Sequence, residues 1–141
     1  MKHCIYLLFV VLVFTGCKKE EKEDPLDILT GKTWKYSLVD KNPSTNGTSI
    51  SVPFNVLADC EKDNTLQFKR DGNLIMYTGN AKCTLNESET RTLSFSYNKQ
   101  TKELIIDGIK CEVLELTKNQ LKYKAPVSYQ TGYVYVMFIL E

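Results

Sequence analysis

Five cysteines, one histidine and a short acidic run are the side chains of this 141-residue sequence best suited to chemistry. The cysteines are Cys4, Cys17, Cys60, Cys83 and Cys111; the histidine is His3; the acidic run is Asp59, Glu61 and Asp63, with Asn64 beside it. A thiol can act as a nucleophile, ligate zinc or oxidise to a disulfide, and the first two uses want a histidine or a second cysteine close by. The sequence has no Cys-x-x-Cys pair, and His3 lies in a segment expected to be removed, taking with it the commonest general base. No enzymatic activity, metal or cofactor is therefore expected. Gly31-Lys32-Thr33 has the ending of a phosphate loop, but Leu26 stands where the first glycine must be and no strand precedes it. Ser96-Tyr97-Asn98-Lys99 spells S-x-x-K, a pair that needs a helical turn, whereas here a strand runs into a loop. The acidic run lacks the central Gly and final Glu of a helix-loop-helix calcium site and reads as a solvated loop.

The first residues show why His3 is lost. Lys2 and His3 make a short positive start, Ile5 to Phe14 is an apolar run, and small Thr15 and Gly16 lead into Cys17, the layout of an export signal. A spanning helix needs about 20 apolar residues, and this run has about half of that before Lys18-Lys19-Glu20-Glu21-Lys22-Glu23-Asp24. Phe14-Thr15-Gly16-Cys17 resembles the lipobox of bacterial lipoproteins, in which the cysteine is acylated and cleavage falls just before it. Phe14 takes a place where an aliphatic residue is usual. The resemblance implies a signal peptide over residues 1–16, lipidation at Cys17 that tethers the protein to a membrane, a charged linker over 17–25 and a folded domain over 26–141. Several acyl chains on one cysteine anchor stably, whereas a single myristoyl chain is marginal.

The folded part must build one core, because domains cluster near roughly 100 to 150 residues. Its 18 basic and 17 acidic side chains, counted over the whole chain, nearly cancel. Without a basic stripe, nucleic acid is not an expected partner. Trp34, Tyr36 and Leu38 alternate with Lys35 and Ser37; Leu93, Phe95 and Tyr97 alternate with Ser94 and Ser96; Leu121, Tyr123 and Ala125 alternate with Lys122 and Lys124. This period of two predicts half-buried strands with the polar residues on the wet face. Shorter runs predict strands at Asn64–Arg70, Asn73–Gly79, Lys82–Asn86, Glu103–Asp107 and Ile109–Thr117. Asp71-Gly72, Asp107-Gly108 and Lys118-Asn119 read as tight turns and Asn98–Lys102 as a polar loop. Asn42–Val52 reads as a long mobile loop, Asn55–Asp63 has room for one helical turn, and no amphipathic helix of normal length is evident. The last strand, Tyr133–Leu140, is apolar on both faces. Its outer side needs a cover, from the N-terminal segment, a partner chain or a neighbouring sheet, so it is a candidate surface for self-association or partner contact. Val127–Tyr133, with Tyr129, reads as a strand connection. The expected fold class is all-β, an antiparallel up-and-down barrel of about eight strands or, alternatively, a β-sandwich.

With Cys4 and Cys17 accounted for, the domain keeps Cys60, Cys83 and Cys111 in a compartment where disulfides persist. Spacing alone leaves three single pairings open. Cys60 with Cys83 is favoured because the two flank a predicted hairpin, a closure worth about 3 kcal/mol in the chain-entropy account. Cys111, between Ile109 and Val113 in an apolar strand, reads as a buried, inert thiol.

Four marks occur in order: Leu29-Thr30-Gly31-Lys32-Thr33-Trp34 opening the first strand, Cys60-Glu61-Lys62-Asp63-Asn64 before a strand carrying Phe68, Asp71-Gly72, and Cys83. Behind a lipobox, this pattern resembles the lipocalin-like lipoproteins abundant in Bacteroidetes, from Leu29 to Glu141. The opening is similar to the G-x-W start of lipocalins with one extra residue. The resemblance implies an eight-stranded barrel closed at one end by Trp34, and it supports the Cys60–Cys83 bridge. The charged run after Cys17 resembles signals that send such lipoproteins to the cell surface, so the expected location is the cell envelope, at the outer membrane and exposed.

Trp34, Tyr36, Phe68, Phe95, Tyr97 and Tyr123 are expected to point into the barrel, where they either line a ligand pocket or fill the core. Barrels of this kind host unrelated roles, so two functions stay open. One is a non-enzymatic, lipid-anchored barrel that binds an apolar or amphipathic small molecule. The other is a filled barrel that engages a protein or glycan, or inhibits an enzyme, through its loops or final strand. An enclosed apolar cavity of about 300 Å³ or more favours the first. A Cys17→Ser chain is expected to lose both acyl labelling and membrane retention; labelling that survives the change refutes the anchor.

Overall fold

The computed structural model describes residues 23–46, 52–127 and 134–141. The signal segment 1–16, Cys17, most of the expected linker, and Tyr129 and Tyr133 of the last connection lie outside the described residues. Eight strands pair antiparallel in chain order and close into a barrel, β8 returning to β1. They are β1 (Trp34–Ser37), β2 (Thr65–Phe68), β3 (Asn73–Tyr77), β4 (Thr90–Asn98), β5 (Glu103–Ile106), β6 (Ile109–Leu116), β7 (Leu121–Pro126) and β8 (Tyr135–Leu140). The fold is the expected lipocalin-like, up-and-down barrel and not a sandwich.

The alternation read from the sequence sets the inner face. Phe95 stands opposite Ile106, Leu104 opposite Cys111, Tyr123 opposite Phe138 and Leu121 opposite Leu140, and all of these belong to or pack against the interior cluster. Gly72 (φ 86) and the Asp107-Gly108 pair (φ 50 and 80) turn the chain where the turn signals stand, in a left-handed conformation that Asp, Asn and Gly tolerate best.

Three expectations need correction. Lys82–Asn86 is not a strand but part of the connection from β3 to β4, where the Glu87 carboxylate accepts from Cys83 N at 2.6 Å and Leu85 is exposed. A short helix, α1 (Pro25–Thr30), forms where none was expected: the Asp24 carboxylate caps it by accepting from Leu26 N at 2.9 Å, and Gly31 follows its end. An Asp before a Pro at the first helical position, with Gly after the last, is a helix signature that was present in the sequence. Third, Lys122 is not on a wet face: its side chain has no exposure at all.

The connection between β1 and β2 buries it. Its first part, residues 38–46, folds back along the outer wall as a strap. Lys122 Nζ donates to both Asp40 carboxylate oxygens at 2.9 Å, to Asn42 O at 2.7 Å and to Asn46 Oδ1 at 2.6 Å. Glu115 Oε2 lies 3.9 Å from the same nitrogen. Gln120, also buried, ties the strap again, accepting from Lys41 N at 2.8 Å and donating to Asp40 and Glu115 at 3.2 Å. The second part extends the sheet: Met137 N donates to Pro53 O at 2.8 Å and Asn55 N to Met137 O at 2.7 Å. Met137 and Ile139 face outward on β8 and are 3% and 2% exposed, in contact distance of a crevice lined by Leu38, Phe54 and Leu57. The cover that the apolar final strand requires is thus the chain's own connection, which leaves Val134 and Tyr135 exposed.

A buried ion pair is worth little against an apolar substitute but costs heavily when one partner is removed. Burial alone would raise the Asp40 pKa; the hydrogen bonds from Lys122, Asn42 N and Asn46 outweigh it and hold the carboxyl below its ordinary 3.8. Its contribution is therefore present above that value and is lost as pH falls through the lower folded one. Asp40→Ala is expected to cost about 3 kcal/mol in urea unfolding, and Asp40→Ala with Lys122→Met to recover most of it. A single variant within about 0.5 kcal/mol of the parent contradicts this account of the strap.

Candidate functional site

An up-and-down barrel sends alternate connections to opposite ends. The turns at 69–72, 99–102 and 117–120 share one end with α1; the β1–β2, β3–β4, β5–β6 and β7–β8 connections share the other. The interior differs between the two ends.

At the α1 end it is packed. Trp34 and Phe68 have no exposure, and Leu66, Leu74, Leu104, Leu121 and Leu140 surround them. Phe95 meets Phe68 edge to face, ring centres 4.9 Å apart. The Trp34 indole N–H donates to Leu29 O at 2.8 Å, and Lys32 Nζ lies 4.4 Å from the ring centre. Helix α1 is the lid of this end, with Leu29 buried and Leu26 and Ile28 against the cluster. Three ion pairs moor it, one to each turn there: Arg70 to Asp27, Lys99 to Asp24 at 3.0 Å, and Lys118 to Glu23 at 2.7 Å. All are exposed, so they orient the lid more than they stabilise it. Glu23 and Asp24, read as the end of a solvated linker, are thus docked.

At the opposite end the interior opens into a cup of about 250 Å³. Its wall is made by Tyr36 (β1), Met76 (β3), Leu93 (β4), Ile106 (β5), Cys111 (β6), Tyr123 and Ala125 (β7) and Phe138 (β8), with Arg91, Asp107 and Ile109 at its margin. Tyr123 and Phe138 stack at 5.0 Å between ring centres, and Tyr36 lies 6.4 Å from Phe138. Burial pushes the Tyr36 phenol up to about 12, helped by the Glu61 charge, and the Cys111 thiol up to about 11. Burial also raises the Tyr123 phenol well above its ordinary value, with Tyr36 and Cys111 adding to it. Near neutral pH these three groups are uncharged, and the cup wall is apolar. Cys111 is free and buried, and a thiol held protonated is a poor nucleophile.

The six aromatic candidates therefore divide. Tyr36 and Tyr123 line the cup; Trp34 and Phe68 belong to the packed half and do not line it, with Phe95 packed on Phe68; Tyr97 packs against the cluster at the α1 end beside Leu26 and Asp24. Met76, Leu93, Ile106 and Phe138 were not singled out from the sequence, although Leu93 and Phe138 carry the inward phase of their strands.

The rim of the cup is clamped. Cys60, in the β1–β2 connection, is bridged to Cys83, in the β3–β4 connection, with Cα atoms 5.1 Å apart. The neighbouring acidic residues serve the same join. Asp63 Oδ2 accepts from Asn80 N at 2.7 Å and from Ala81 N at 3.2 Å, and Asn64 Oδ1 accepts from Gly79 N at 2.8 Å. The Asp63 carboxylate lies against Gly79 and leaves no room there for a β-carbon. Glu61 caps its own turn through Ala58 N at 3.0 Å, and Asp59 pairs with Lys62 at 2.5 Å. These oxygens do not converge, and among the described residues no cluster fit to hold a metal occurs. No family model, curated protein or solved structure matches this chain.

Proposed function

We propose that the protein is a non-enzymatic, lipid-anchored lipoprotein of the cell envelope, of the lipocalin-like kind, whose cup takes up an amphipathic small molecule. The observation that carries this reading is the division of the barrel interior into a packed half and an open apolar cup. A barrel needed only as a scaffold gains by filling both halves, since unfilled interior forfeits packing. Size decides between apolar and amphipathic ligands. Enclosed ligand pockets run from roughly 300 to 1,000 Å³. A cup of about 250 Å³ open to water covers only part of a ligand, which favours a molecule with an apolar end to bury and a polar end to leave wet. The acylated Cys17 and the outer-membrane location rest on the lipobox-like Phe14-Thr15-Gly16-Cys17 and the charged run behind it.

A second reading has its own observation. Leu85, Ile109, Val134 and Tyr135 are exposed on or beside connections at the mouth, where a protein partner at the cell surface would find them. In that case the loops are the working surface and the cup is incidental.

The neutral fluorophore N-phenyl-1-naphthylamine separates the two. With the chain from residue 18 onward, the cup reading predicts saturable fluorescence enhancement at one site, abolished by Leu93→Trp, which fills the cup, while circular dichroism stays unchanged. No saturable enhancement, or enhancement indifferent to Leu93→Trp, contradicts the cup and leaves the loop surface.

A further inference from the structure

Register places Arg91 on the inner face of the barrel. It stands opposite Met76 across β3 and β4, opposed residues share a face of the sheet, and Met76 packs against the interior cluster. Leu93 and Phe95 continue the same inward row. A guanidinium thus occupies an inward position at the mouth of an otherwise apolar cup, where alternation would place another apolar side chain. Among the described residues it forms no ion pair and no hydrogen bond. Asp107 also lines the mouth, but the backbone accounts for it: with φ 50 it begins a left-handed turn that selects Asp, Asn or Gly. Among the described residues no contact of this kind accounts for Arg91.

Resting on the cup as a ligand site, we infer that its ligand is a single-headed anionic amphiphile, the acid group held by Arg91 and the hydrocarbon tail lying against Met76, Leu93, Ile106 and Phe138. Arginine presents two parallel N–H donors that match a carboxylate, and it stays charged at every physiological pH. The exposed position of Arg91 keeps the headgroup in water while the tail is buried, which spares the cost of desolvating an ion pair. Asp107 on the same mouth opposes a second negative charge on the ligand.

The test is isothermal titration of the chain from residue 18 onward with decanoate and with 1-decanol, at low salt and below self-association. Decanoate is expected to bind one site about tenfold more tightly than decanol. Arg91→Gln should remove that advantage by weakening decanoate far more than decanol, and Asp107→Asn should tighten decanoate more than decanol. Each methylene taken from the acid should weaken binding about fourfold, the equivalent of burying one methylene. Equal binding of acid and alcohol, unaffected by Arg91→Gln, overturns the anionic assignment while the cup stands as a ligand site. An acid preference that survives Arg91→Gln overturns it too, since the headgroup then lies elsewhere. If neither compound binds, the cup reading fails and this inference falls with it.

Discussion

Closure of the barrel through β1 is the constraint on which the rest depends. A closed sheet has no free edge, but β1 has only four residues with which to serve two neighbours. Trp34 and Lys35 pair with β2, and Tyr36 and Ser37 pair with β8. So few backbone hydrogen bonds do not fix a strand, and Trp34 supplies the anchor. Burying an aromatic side chain of this size is worth roughly 4 to 6 kcal/mol at about 25 cal/mol per Å². Its N–H bond to Leu29 then couples the strand to α1. Because β1 ends at Ser37, β8 still has backbone groups to satisfy at Met137, and Pro53 and Asn55 supply the partners. The connection that does so runs over the outer wall, which is why Met137, Ile139 and Lys122 are buried there and why Lys122 needs Asp40.

The same constraint shapes the cup. Large side chains crowd the end that Trp34 and the lid occupy, and short strands leave too few inward positions to fill the other end as well. The groups that remain there are aromatic rings stacked along the wall, neutral hydroxyls, a protonated thiol and small Ala125. The Cys60–Cys83 bridge holds two of the connections around this mouth, so the opening is braced by a covalent bond. Packing thus places the solvent-accessible apolar surface at the end where the longest connections emerge.

Much of this was legible in the sequence, because period-two alternation and tight-turn residues are local signals. Together with the apolar run of the last strand, they located all eight strands, the Asp71-Gly72 and Asp107-Gly108 turns and the inward phase of the aromatic residues. Spacing left three cysteine pairings open; the predicted hairpin between Cys60 and Cys83, with the family resemblance, favoured the one that the structure contains. What escaped was non-local. Lys122 alternates like any outward lysine, and only the strap, from residues 76 to 82 positions away, turns its face dry. Lys82–Asn86 looks like a strand until Cys83 is drawn to Cys60 and Glu87 folds back on its backbone. Arg91 could have been found: extending the Leu93, Phe95, Tyr97 phase two residues back places it inward. That its guanidinium has an open cup before it, and no ion-pair partner among the described residues, depends on how the other strands end.

The central claim is that one half of the interior is packed and the other half open, and side-chain methyl relaxation by dissolved molecular oxygen tests it most directly. Oxygen partitions into accessible apolar space and is excluded from close-packed cores. The structure predicts strong relaxation at Met76, Leu93 and Ile106 and little at Leu66, Leu74, Leu104, Leu121 and Leu140. Uniformly weak relaxation would mean a barrel filled from end to end, and the cup would not exist.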